Sequence, residues 1–105
     1  MRNASKLSYT AVLVLQTISS GYSYGFDVME VTDLPSGTVY PILRRLEHQR
    51  LIKSSWETQK TAFADQRPPR QYYRLTREGQ EELGKAVQRY GLLDQLVSAE
   101  KSKHR

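Results

Sequence analysis

Between Ser36 and Arg50 the chain reads "SGTVYPILRRLEHQR", and this stretch constrains the fold more than any other. Val39, Ile42, Leu43 and Leu46 recur at i, i+3, i+4 and i+7, the spacing of one buried stripe on a helix. The opposite face carries Gly37, Pro41, Arg44, Arg45 and His48, with Tyr40 at its edge. An ordinary solvated face would be rich in Glu and Lys. This one is small where it begins and basic further along, as suits a helix against which a polyanion lies close. Ser36 is the expected N-cap, and Pro41 is tolerated near the first turn, where few backbone hydrogen bonds are lost.

Upstream, Ser8 is placed to cap a first helix running to about Ser19, with Val12, Leu13, Leu15 and Ile18 on its buried side. "SSGYS" reads as a turn. Ser23 is placed to cap a short second helix, "YGFDVMEVT", with Tyr24, Val28 and Val31 on one face, and "DLPSG" ends it. After Arg50 the period changes. "LIKSSWET" alternates imperfectly, with Ile52, Ser54 and Trp56 on one side, and "RQYYRLT" from Arg70 to Thr76 is its aromatic-rich partner strand. Tyr72 and Tyr73 point to opposite faces of that strand, so one of them belongs to the core. The intervening "QKTAFADQRPP" is too long for a tight turn and ends in a double proline that opposes pairing. It reads as an extended hairpin loop.

Thr76 is the expected cap of a last helix reaching about Val97. Leu83, Ala86, Tyr90, Leu93 and Val97 are spaced 3, 4, 3, 4 along it, a seam of coiled-coil type. Gly79, Gly84 and Gly91 lie in the same helix, and each interior glycine costs roughly 1 kcal/mol against alanine. Such a helix needs a partner, and the rest of the fold offers the seam no obvious groove. The seam is therefore assigned to a second copy of the chain.

Three helices followed by a two-stranded hairpin is the order of a winged helix-turn-helix, in which the third helix enters the DNA major groove. The expected fold is mainly α with a small β-hairpin. Residues 1–76 form the DNA-binding domain, and residues 77–105 form a dimerisation helix and a basic tail. Ser36, Gly37, Thr38, Tyr40, Pro41, Arg44, Arg45 and His48 are the expected DNA contacts of the third helix. Lys60, Arg67 and Arg70 are those of the wing, with Asp65 among them leaving the wing only moderately basic. Helix residues reach phosphates or guanine edges; wing residues reach backbone or minor groove.

Composition agrees and excludes other classes. A chain of 105 residues is one domain, and a formal net charge of +5 suits a nucleic-acid partner. There is no cysteine, and His48 and His104 are the only histidines, so neither a disulfide framework nor a metal centre is expected. "GYSYG" lacks the strand-to-helix context that makes a serine elbow nucleophilic, so no catalytic residue and no cofactor is expected. The longest apolar run, Ala11 to Leu15, is far short of the ~20 residues of a membrane span. A soluble, cytoplasmic protein follows. The competing class is a winged helix used for protein–protein or RNA contact, which duplex-specific, salt-sensitive binding would separate from a DNA binder.

The segments "YGFDVMEV", "LPSGTVYPILRRLE", "LIKSSWE" and "RPPRQYYRLTREGQEEL" strongly resemble the PadR family of bacterial transcriptional regulators, over roughly Leu7 to Leu83. "SGTVYPILRRLE" and "PPRQYYRLTREG" are each distinctive, and they occur in the family's order and spacing. The resemblance implies a dimeric winged-helix repressor on an inverted repeat, associated with a prokaryotic nucleoid, whose last helix makes the dimer. The single short C-terminal helix is similar to that of the smaller subfamily. Two departures stand out. Where the family usually has glycine this chain has Arg50, which must adopt a left-handed conformation at some cost or give the helix a different exit. Some drug-binding members stack planar compounds on a tryptophan of the last helix. Here the only tryptophan is Trp56, in the first wing strand, and the last helix offers Tyr90. An apolar or aromatic effector is accordingly expected between the subunits, near Tyr90 and Trp56.

Overall fold

Seven elements follow one another: α1 (Tyr9–Ser19), α2 (Gly25–Thr32), α3 (Ser36–His48), β1 (Ile52–Trp56), α4 (Gln59–Ala64), β2 (Gln71–Leu75) and α5 (Arg77–Lys103). The computed structural model describes residues 7–103, with side chains as far as Gly91. The fold is mainly helical with one antiparallel hairpin, a winged helix-turn-helix with a long helix after the wing.

α1 begins as its sequence dictates: the Ser8 hydroxyl accepts from the Ala11 amide at 3.2 Å. Its buried side is broader than one stripe, taking in Ala11, Val14 and Thr17 as well as Val12, Leu15 and Ile18, while Leu13 is only half-buried. α1 is the central helix, packed against α2, α3, α5 and β2, and helices enclosed this way lose the one-sided pattern. α2 is capped by Tyr24 without a side-chain bond, not by Ser23. The Ser23 carbonyl is instead used by the Tyr73 amide at 2.9 Å, which ties β2 to the α1–α2 turn. Val28 is fully buried on α2, but Val31 is half exposed and does not share its face.

α3 ends in a Schellman closure. The Leu51 amide reaches back to the Leu46 carbonyl and the Arg50 amide to that of Glu47, both at 3.0 Å. Leu46 and Leu51 are both buried in the core, the apolar contact that accompanies this motif. Arg50 sits at φ +64°, so the arginine adopts the left-handed conformation that the family's glycine would take. That conformation costs an L-residue roughly 1 kcal/mol or more, and the two closing hydrogen bonds offset it.

The hairpin pairs Ile52 with Leu75 and Trp56 with Gln71. Tyr73 is the core member of the tyrosine pair, while Tyr72 meets Tyr24 edge-on at 6.0 Å. Between the strands there is a helix where an extended loop is expected. The Thr58 hydroxyl caps α4 by accepting from the Thr61 amide at 3.1 Å, and Ala62 is buried beneath it. The last helix starts as expected, with the Thr76 hydroxyl accepting from the Gly79 amide at 3.0 Å, but it continues past Val97 to Lys103. The basic tail is thus helical in part.

Candidate nucleic-acid interface

The apolar stripe of α3 fixes what the helix shows to solvent. With Val39, Ile42, Leu43 and Leu46 all in the core, Ser36, Gly37, Tyr40, Pro41, Arg44, Arg45 and His48 are exposed, and Thr38 is half-buried. The N-cap is Pro35, and Ser36 is the first helical residue. Proline has no side chain that can cap; the Thr38 and Val39 amides donate to the Pro35 carbonyl at 2.9 and 3.0 Å, and the Ser36 and Gly37 amides are the open donors at the positive end of the helix. Pro41 is the sixth residue rather than a first-turn one, and the Gly37 carbonyl therefore receives no helical amide. Among the described residues neither Arg44 nor Arg45 makes an ion pair. The one carboxylate of this face, Glu47, accepts from the Ser54 hydroxyl at 2.6 Å and so leans toward the wing. Tyr40 lies over the start of α2, where a Cβ on Gly25 would come within 2.6 Å of its hydroxyl oxygen. Gly25 has no side chain because the Tyr40 ring occupies that space.

The wing is organised by a residue that sequence reasoning missed. Glu57 follows β1 directly, and its side chain is only 9% exposed. Its carboxylate accepts from both terminal nitrogens of Arg67, the Arg70 amide at 2.9 Å and the Tyr24 hydroxyl at 3.2 Å. The Glu57 amide in turn donates to the Arg70 carbonyl at 2.8 Å. The Arg67 guanidinium, more than any other group, holds the Glu57 carboxyl down to about 2, and the pair raises Arg67 further above its already high value. Arg67 also reaches Asp65 at 3.1 Å. Its charge is thus engaged within the chain. Arg70 differs: it is exposed, its guanidinium lies 4.8 Å over the Tyr24 ring, and it has no carboxylate partner among the described residues. Lys60 is exposed on α4. A signal for Glu57 was available in the register: with Ile52 opposite Leu75, counting outward sets Glu57 opposite Arg70.

The seam of the last helix divides. Leu83 and Ala86 are buried in the core of their own chain, because α1 supplies the groove that periodicity alone did not reveal. Tyr90 is half-buried; its hydroxyl donates to the Leu7 carbonyl at 3.2 Å and its ring meets Tyr9 edge-on at 5.4 Å. Leu93 and Val97 lie outside the residues whose side chains are described. What α1 and α5 leave open is a groove lined by Tyr9, Leu13, Val87 and Tyr90, with Tyr9 and Val87 largely exposed. Trp56 is not there. It is 64% exposed beside the start of α2 and lines a different cleft, so Tyr90 and Trp56 do not form one ligand site.

Among the described residues no cluster of three or more His, Asp or Glu side chains could hold a metal, and no helix is long and apolar enough to cross a membrane. The sequence profile of the transcriptional regulator PadR-like family matches residues 14–85, the helix-turn-helix, the wing and the first turns of α5. Comparison with curated proteins returns no match. Among solved structures, a PadR family transcription regulator from Clostridium difficile R20291 is 25% identical with a TM-score of 0.76, over 88% of this chain and 97% of that one. A PadR-like transcriptional regulator from Bacillus cereus ATCC 14579 is 25% identical with a TM-score of 0.70, over 85% of this chain and 87% of that one. A PadR family regulator from Eggerthella lenta DSM 2243 is 30% identical with a TM-score of 0.67, over 85% of this chain and 78% of that one.

Proposed function

This chain belongs to the transcriptional regulator PadR-like family, and from that premise we propose that it is a homodimeric repressor occupying a palindromic operator. Regulation through DNA binding is the family's activity. The observation that carries the finer reading is the outward face of α3: open amides at its start, then Tyr40, and two arginines with no ion pair among the described residues. In the winged-helix docking geometry that face lies in the major groove, where a guanidinium reads guanine or grips phosphate. The groove of Tyr9, Leu13 and Val87 is the dimer face of this reading. A two-fold dimer would set two α3 helices on successive turns of DNA, and a ligand that shifted α5 would change their spacing and release the operator.

Selecting the preferred duplex from a random pool tests the reading. The selected site should be an inverted repeat. With Arg44, Arg45 and Arg70 as the working cations, a dimer makes about six phosphate contacts, and log K should fall with log salt at a slope of roughly −5. Arg44→Ala or Arg45→Ala should weaken the operator, and a residue that reads a base should lose about 1–3 kcal/mol of discrimination at that position. Binding without duplex preference and nearly independent of salt would transfer the protein to the adaptor class.

A further inference from the structure

Phe63 is 84% exposed, the most exposed large apolar side chain among the described residues. It stands on α4, the helix found where the wing was expected to be an extended loop. A lone exposed apolar residue is ordinary; this one is held in place. The Thr58 hydroxyl caps the helix at one end. At the other, the Gln66 amide donates to the Phe63 carbonyl at 3.0 Å and the Arg67 amide to the Ala62 carbonyl at 3.1 Å, with Gln66 at φ +56°. That closure is a Schellman turn, and both terminal nitrogens of Arg67 then lock it to Glu57. Ala62 faces inward and is buried. Gln59 and Lys60, four and three residues before Phe63, share its outward side and are exposed. Six residues are fastened at both ends and beneath, and what they present is a phenyl ring between an amide and a cation.

The place of α4 says what that ring meets. β1 carries the chain from the exit of α3 toward α4 in five residues, about 17 Å. Half a turn of duplex, the step from a major groove to the neighbouring minor groove, is also about 17 Å. With α3 in the major groove, α4 therefore has the reach of the minor groove beside it. Proteins that enter that groove use Lys and Gln at its edges and drive an apolar wedge, often Phe, between base steps. The outward side of α4 carries that set, and Asp65, the carboxylate that follows, is paired with Arg67 at 3.1 Å. We propose that Phe63 is such a wedge: it enters the minor groove flanking each half-site, unstacks one base step and kinks the operator. The proposal rests on the repressor reading of α3. Specificity then arises at positions α3 never touches, because unstacking costs less at flexible TA and CA steps than in stiff sequence. A ring already fixed on its support loses little freedom on insertion, which favours the bent complex.

The test uses the full chain on its selected operator, with 2-aminopurine placed in turn at each flanking step and a dye pair on the duplex ends. The expected result is a rise in 2-aminopurine emission at one step outside each half-site, with the ends drawn together by a kink of about 20° or more per subunit. Phe63→Ala should return the emission to that of the free duplex and straighten the DNA, yet still prefer the inverted repeat. Phe63→Leu should keep part of both signals. TA at the flanking step should bind the parent about tenfold more tightly than GG, and Phe63→Ala should lose that difference. Because the ring is exposed, thermal melts of Phe63→Ala and parent should coincide. A parent–operator complex with no change in emission at any step, or Phe63→Ala bending the operator as the parent does, would overturn the wedge and leave the reading of α3 standing. The ring would then belong to a contact with another protein. A chain that binds no duplex would end both readings.

Discussion

α5 joins the DNA-binding fold at Gly79, and replacing that glycine by alanine should separate the joint from the helix it serves. A Cβ at this position would lie 1.9 Å from the Leu51 carbonyl oxygen and 2.9 Å from its carbon. The obstacle is backbone, and it is held: the same carbonyl accepts the Thr76 amide at 3.0 Å, and the Thr76 hydroxyl donates to the Arg50 carbonyl at 2.7 Å. Alanine gains about 1 kcal/mol of helix propensity over glycine. Overpacking costs about 1–3 kcal/mol, and moving α5 away strains hydrogen bonds worth roughly 1 kcal/mol each. The net loss should be about 2 kcal/mol, a fall in Tm of roughly 10 °C for a domain of this size. Gly84 is the internal control. Nothing lies within 4 Å of its missing Cβ, so Gly84→Ala should gain up to ~1 kcal/mol and raise Tm by several degrees. Thermal melts of both variants at one fixed protein concentration make the comparison, since a dimer's Tm depends on concentration. Equal shifts, or a Gly79→Ala variant as stable as the parent, would refute the close docking of α5 on the α3–β1 turn.

The wing should respond to acid through Glu57. Its carboxyl is held down to about 2 from an ordinary 4.5, so its stabilising effect is complete above about pH 4.5 and is lost as pH falls through about 2. The Trp56 signal of the parent should change only as pH falls toward about 2, and that of Glu57→Gln should not change there; a parent transition centred at the ordinary 4.5 would disprove the clamp. Arg67 and Arg70 should part company in gel shifts. Arg67→Ala should weaken DNA binding with an unchanged salt slope, because its charge is already paired, whereas Arg70→Ala should reduce the slope by about one per subunit. Val87→Asp should yield a monomer that keeps its helical circular dichroism, and sedimentation as an intact dimer would remove the α1–α5 groove from the interface.

Legibility in the sequence followed the range of the interactions. α1 and the start of α5 are announced by a capping hydroxyl and α3 by a stripe repeating within two turns, and these were readable, although the expected cap of α3, Ser36, is its first helical residue. The start of α2 was not: Ser23 has a capping side chain, but its carbonyl is committed to the Tyr73 amide fifty residues later. α4 escaped for a related reason. Six residues with one cap are marginal as a free helix, and the double proline argued for a loop. What holds the segment is Ala62 tucked beneath it and Glu57 fastening its exit through Arg67. Leu83 and Ala86 show the same limit from the other side. A heptad pattern states that a face is buried; it does not state whether the covering helix belongs to the same chain, and here α1 covers it.

Charge was the least legible property, and it bears most directly on function. Arg67 and Arg70 flank the double proline three residues apart and are equivalent in the sequence, yet only one is available to a polyanion. The difference is decided by Glu57, which the hairpin register sets opposite Arg70 and the turn of α4 brings within reach of Arg67. One arginine then neutralises the carboxylate, while the other gives it only a backbone amide and has its guanidinium outside any ion pair among the described residues. The formal +5 therefore overstates the cationic surface of the wing and understates its order. A wing whose Arg67 charge is spent within the chain is a positioning device as well as an electrostatic one, with Lys60 and Arg70 exposed and outside any ion pair among the described residues. In the proposed operator complex Arg44, Arg45 and Arg70 carry the affinity together, and Glu57 holds Tyr24 and the Arg70 backbone in a fixed relation beside α3.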